Sequence, residues 1–141
     1  MKGMKLRRGT FQHVESELYA YHETKKEIIR IKNEILYRTS SRDDNVGGVQ
    51  SNIPGDPTGK TAVLLATNRR IEQLEKIVKA IDSVVLRLPE DKKKLVQLRY
   101  WTKPRILTWD GIAREIPTGR ATVFRWRDEI IFAIAEELGW L

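Results

Sequence analysis

Between Phe11 and Tyr37 the apolar residues Val14, Leu18, Tyr21, Ile28, Ile31 and Ile35 recur three, four or seven positions apart. An α-helix turns once in about 3.6 residues, so these side chains share one face and predict a long amphipathic helix. Lys25 and Lys32 break its seam. The stretch "TSSRDDNVGGVQSNIPGDP" then collects Ser, Asp, Asn, Gly and Pro without periodicity and reads as a mobile linker at about 39–57. Helical spacing returns at Gly59, now close to a heptad. Leu64, Ile71, Val78 and Val85 fall seven apart, and Leu74, Ile81 and Leu88 occupy the alternate positions, with Thr67 the weak member of that row. Such a seam calls for a partner helix. The first helix folded back as a hairpin would supply it, and so would the same helix of a second copy.

Pro89 ends this pattern and, with Glu90 and Asp91, suits the first turn of a new helix, where a missing N–H costs nothing and negative charge meets the helix dipole. Leu95 and Leu98, with Tyr100 or Trp101, form its apolar side. Thr108 is a good N-cap for "WDGIAREI", and Pro117–Gly119 is a tight break. A last helix is expected from about Arg120 to Leu138. Gly139 stands where a left-handed C-terminal cap belongs, and Trp140 is placed to fold back on the apolar side. Nothing reads as a strand. The fold class is all-α: a long N-terminal helical hairpin or coiled-coil segment within residues 1–88, serving oligomerisation, followed by a helix-turn-helix domain over 89–141.

Length and charge narrow the function. A chain of 141 residues makes one or two small domains, and the absence of cysteine removes disulfides and thiolate metal sites, as suits a reducing cytoplasm. No apolar run is long enough to span a bilayer, and the basic start "MKGMKLRRGT" lacks the apolar segment of an export signal. The net charge of +7 is unevenly spread. From Arg99 to Arg127 there are seven basic and two acidic residues, while from Asp128 onward there are four acids and no base. A compact basic region beside an acidic end points to a polyanion-binding face.

Enzymatic chemistry finds little support. "NIPGDPTGKT" ends like a phosphate-binding loop, but that loop needs glycine five residues before Gly59, and Pro54 stands there. Pro54 and Pro57 also delete two amide donors from a loop built to donate amides. A linker and a helix start, with Asp56 or Thr58 as cap, explain the stretch better. His13 and His22 lie nine apart, a poor spacing for one helix face, and Asp43, Asp44 and Asp56 read as solubilising loop acids. The expectation is no catalytic residue, no cofactor and no metal.

The strongest signal is "TWDGIAREIPTGRATVFRWRDEI". Its layout is a short helix, a tight turn and a second helix, the pattern of a helix-turn-helix. Ala113 takes the position where the two helices cross closely. Ile112 and Ile116 face the core from the first helix, and Val123, Trp126, Ile130 and Ile134 from the second. Arg120, Ala121, Thr122, Phe124, Arg125 and Arg127 remain on or near the exposed face that would enter a DNA major groove. There Arg can hold guanine at two points, and Thr or Ala can touch a thymine methyl. Thr118 and the free amides of the helix start suit a phosphate, and Arg114, Lys103 and Arg105 suit flanking backbone contacts. The turn departs from the usual pattern, since Pro117 occupies the place where glycine is customary.

"LPEDKKKLVQLRYW" followed by "LTWDGIAREIPTGRATVFRWRDEI" resembles region 4 of bacterial sigma-70-type factors over roughly residues 88–131. With its N-terminal hairpin and "DPT" junction, the whole chain resembles the RinA/ArpU-like family of phage late-gene transcriptional regulators. That resemblance implies a sequence-specific, double-stranded DNA-binding activator of phage late genes. It would act in the cytoplasm of a bacterial host, on the nucleoid and near host RNA polymerase. It assigns promoter reading to Arg120, Thr122, Phe124 and Arg125. A homo-oligomer is expected, with a dimer favoured and no membrane partner. A small terminase subunit, which recognises DNA for packaging, is the competing assignment, since it too joins a helix-turn-helix to helical oligomerisation segments.

Overall fold

The computed structural model describes residues 5–44, 57–104 and 106–141, which form six helices and no strand. These are α1 (Arg8–Tyr19), α2 (Tyr21–Asp44), α3 (Pro57–Arg87), α4 (Glu90–Tyr100), α5 (Trp109–Glu115) and α6 (Arg120–Leu138). The all-α class expected from periodicity is what the chain adopts.

The expected single N-terminal helix is divided at Ala20, which ends α1 with φ −86° and ψ 2°. Periodicity could not show this, because the apolar face continues through the break. A tertiary contact accompanies it. The Trp101 indole Nε1 donates to the Leu18 carbonyl at 3.1 Å, inserting a side chain where the helical ladder would run on. At its far end α2 continues to Asp44 and overlaps the first residues of the expected linker. Ser, Arg and Asp do not interrupt a running helix as Gly and Pro do, and the first glycine after α2 is Gly47. The remainder of the linker, Asn45 to Asp56, lies outside the described residues, and so does capping by Asp56. The backbone from Pro57 through Thr61 is helical. Gly59-Lys60-Thr61 therefore begins a helix and does not form a loop.

The chain divides into two compact units at His22–Glu23 and Lys76–Ile77. The first comprises the N-terminal segment through His22 and residues 77–141. Its core joins Val14 and Leu18 of α1, Ile81 and Val84 of α3, Leu95 and Val96 of α4, Ile112 of α5, and Ile130, Ile131 and Ile134 of α6. All of these are at most 2 % exposed. Polar bonds fix the same packing. The Tyr100 hydroxyl donates to Glu15 Oε2 at 2.7 Å, and the Tyr21 hydroxyl donates to Asp82. Burial raises the pKa of both phenols, with the facing carboxylate acting in the same direction; Tyr21 is pushed up to about 12.

The second unit comprises residues 23–76. Here Thr24, Ile28 and Ile31 of α2 and Ile71 of α3 are buried, and Lys32 pairs with Glu75 at 2.9 Å. Arg30 is held by Glu27 and by Glu34 one turn away on either side. The heptad of α3 finds cover at Ile71, but Leu64 is 48 % exposed, and Val63 and Leu65 are more so.

Candidate nucleic-acid interface

The basic region is built on α4, α5 and α6. α4 begins after Pro89, whose carbonyl accepts from the Lys93 amide at 3.0 Å, and Glu90 and Asp91 fill its first turn. α5 begins at Thr108, and the hydroxyl accepts from the Gly111 amide at 3.1 Å, which is the N-cap the sequence predicts. Ile112, Ala113 and Ile116 are buried on α5, and Val123, Ile130 and Ile134 on α6. Ala113, 5 % exposed, sits in the shared core of α5 and α6, where a larger side chain would push the helices apart. Trp126 is half-buried against this core, with Lys92 Nζ 5.9 Å from its ring.

The connection between α5 and α6 has a defined hydrogen-bond pattern. The Thr118 amide donates to the Ala113 carbonyl at 2.9 Å, a bond that closes a helix C-terminus when the intervening residue is left-handed. That residue is Pro117, with φ 25°. A second bond normally accompanies this closure, donated by the left-handed residue itself. Proline has no N–H and cannot make it, so the α5 carbonyl end keeps one fewer partner than a glycine turn would give. At the other end of α6, Gly139 adopts φ 75°, and the Gly139 and Trp140 amides close the helix on Glu136 and Ala135 at 3.1 and 2.9 Å. Trp140 then stacks on His13 of α1, ring centroids 4.5 Å apart.

The ten residues singled out from sequence fall into three groups. Arg120, Ala121 and Arg125 are exposed at the start of α6, and Arg114 is exposed on α5. Arg120 Nε lies 3.4 Å from Asp110, a solvent-facing pair of small energetic weight, and Arg125 has no ion pair among the described residues. Lys103 is exposed in the α4–α5 connection, and Arg105 lies outside the described residues. Thr118, Thr122, Phe124 and Arg127 are half-buried beside this face.

Phe124 and Arg127 have a further setting. The Phe124 ring lies 5.2 Å from Trp109, and the Arg127 guanidinium lies 5.0 Å from Phe124, 5.7 Å from Trp109 and 5.1 Å from Phe11. Arg127 also pairs with Asp128 at 2.8 Å. Arg99 stands over Trp109 at 4.3 Å, and its Nε is buried without a hydrogen-bond partner. Guanidinium faces on aromatic rings are favourable, more so when partly desolvated. Trp109 is thus within reach of both Arg99 and Arg127 and packs against Phe124 of α6. Sequence reasoning did not single out Arg99, Trp109 or Phe11 for this role. No local signal could have done so, because they come from three helices separated by up to 98 positions. Among the described residues, no group of three or more His, Asp or Glu is placed to hold a metal ion, and no helix is long and apolar enough to cross a membrane.

Residues 16–136 match a protein family described as being of unknown function, DUF722, and the chain belongs to that family. No curated protein and no solved structure matches it.

Proposed function

We propose that the protein is a non-enzymatic, sequence-specific double-stranded DNA-binding transcriptional regulator in which α5, the Pro117 turn and α6 act as a helix-turn-helix. The observation that carries this reading is the start of α6. A helix seated on a buried apolar face presents Arg120, Ala121 and Arg125 outward in its first two turns, within a region of local positive charge. Helices so placed enter the major groove with their N-terminal residues against base edges. Arg125 reads a base, Thr118 and Arg114 hold backbone phosphates, and Lys103 and Arg105 flank them. Phe124 and Arg127, packed on Trp109 and Phe11, set the attitude of α6 in the groove.

The sigma region 4 and RinA/ArpU resemblances give this activity a place, activation of phage late genes near host RNA polymerase in the bacterial cytoplasm. Unit 23–76 supplies self-association, since Ile29, Leu36, Tyr37, Val63, Leu64 and Leu65 are all exposed there. A two-fold dimer would read half-sites one helical turn apart, about 34–36 Å.

The deciding experiment is capture of sheared genomic DNA from the source by purified protein at near-physiological salt, followed by sequencing. Enrichment upstream of structural or packaging genes supports the regulator. Enrichment inside the terminase coding region supports the packaging subunit instead, and no enrichment removes the DNA reading. On the captured site Arg125→Ala is expected to cost about 1–3 kcal/mol and to relax one base position. An equal loss on every sequence would make Arg125 a phosphate contact.

A further inference from the structure

The basic N-terminal segment Lys5–Arg8 lies more than a hundred residues before α6 in sequence, and the fold brings it to the side of that helix. Lys5, Leu6 and Arg8 line one wall of an open groove of about 560 Å³ whose other wall includes Arg127 and Asp128. Lys5, Leu6 and Arg7 border a second hollow of about 360 Å³ with Phe132. Leu6 and Phe11 occupy the staple positions on either side of the α1 N-cap, Arg7, and both pack against the core. The segment is therefore fastened to the body of the protein, and Arg127, 5.1 Å from the Phe11 ring, ties its position to α6.

Ala121, Arg125, Asp128 and Phe132 are spaced four, three and four apart, so they lie along one face of α6. The base-reading end of that face is Ala121 and Arg125, and its continuation at Asp128 and Phe132 is bordered by the basic segment. From Arg125 to Phe132 the helix advances about 10 Å. A basic segment that borders the helix beyond its base-reading end is placed to meet phosphates flanking the site. Lys5, Arg7 and Arg8 are exposed and have no ion pair among the described residues. The first turn of α1 holds no acidic residue, and Glu15 and Asp128 are the acids that line the groove beside Lys5 and Arg8.

We infer that Lys5, Arg7 and Arg8 form a second DNA-contact element, an N-terminal clamp on the phosphates flanking the α6 site. The inference rests on the DNA-binding reading above and adds a surface that this reading did not include. It assigns these residues affinity without sequence preference, since phosphate contacts carry no base information.

The test uses the full-length Arg7→Ala/Arg8→Ala protein. Fluorescence anisotropy is read on the captured genomic fragment and on a scrambled duplex of equal length, from about 50 to 200 mM salt. Affinity should fall about tenfold or more on both duplexes, and the slope of log affinity against log salt should flatten by about two, one for each lost phosphate contact. Arg8→Lys should retain the wild-type slope. If the alanine protein does not fold, Arg7→Gln/Arg8→Gln takes its place. Affinity within about twofold of wild type with an unchanged slope overturns the clamp, as does a loss confined to the captured fragment. If wild type binds and Arg125→Ala loses preference while the double variant behaves as wild type, only the clamp falls. If wild type binds no duplex, the clamp and the helix-turn-helix reading fall together.

Discussion

Residues 77–141 with the N-terminal segment bury a continuous core drawn from α1 and from α3 through α6, whereas among the described residues of 23–76 three isoleucines are buried and six large apolar side chains are exposed. Both regions are amphipathic helices of similar periodicity. They differ in how many neighbours each apolar face meets. Ile134 is covered by α-helical elements converging from several directions, while Leu64 and Leu65 stand at the open end of a seam. A helix face is a local property. Its cover is not, and burial is what converts apolar area into stability.

The largest expected effect breaks this comparison directly. Ile134→Ala should lower stability by about 2–5 kcal/mol in urea unfolding, as for other fully buried branched residues. Ile71→Ala should cost about 1 kcal/mol of the same transition, in the range of ordinary substitutions. Equal losses would mean that Ile71 is covered as fully as Ile134. Next, Leu64→Ser/Leu65→Ser should leave that transition in place and reduce the mass seen by light scattering towards the monomer, because the exposed seam is the proposed self-association surface. A mass unchanged by the double substitution would move association elsewhere.

A smaller effect belongs to the polar lock of the first region. Tyr100→Phe removes the bond to Glu15 and leaves a half-buried carboxylate without its donor, at a cost of about 1–3 kcal/mol. Adding Glu15→Gln should recover part of that loss if the carboxylate charge is its cause.

The smallest is a response to alkali. The Tyr21 phenol, pushed up from 10.0 to about 12, is held neutral by burial and by Asp82. Its folded-state value lies above the unfolded one, so its contribution is complete below about pH 10 and disappears as pH rises through about 12. Urea midpoints should therefore fall across that interval, and fall less in Tyr21→Phe. An identical decline in both proteins would exclude Tyr21 as a source.

Much of the architecture was legible beforehand because helices write their own boundaries. Thr108 capping α5, acids opening α4 and Gly139 closing α6 each act through bonds within a few residues. The buried set Ile112, Ala113, Ile116, Val123, Ile130 and Ile134 followed from spacing alone. The division at Ala20 and the joining of α1 to the C-terminal helices did not. Both depend on side chains such as Trp101 and Tyr100 meeting residues more than eighty positions away. The exposed α6 start was readable from the same periodicity that identifies its core. The Arg99–Trp109–Arg127 stack was not, since none of its members announces its partner.

The sequence by itself determined the helical class, the caps, the apolar faces and the concentration of positive charge between Arg99 and Arg127, because these reside in contacts within one or two turns or in simple composition. Tertiary structure decided which faces are covered, where the chain divides, and that Lys5–Arg8 borders the helix carrying Arg125. Those outcomes require distant segments to compete for the same apolar surface, and the result of that competition is recorded in no single stretch of the chain.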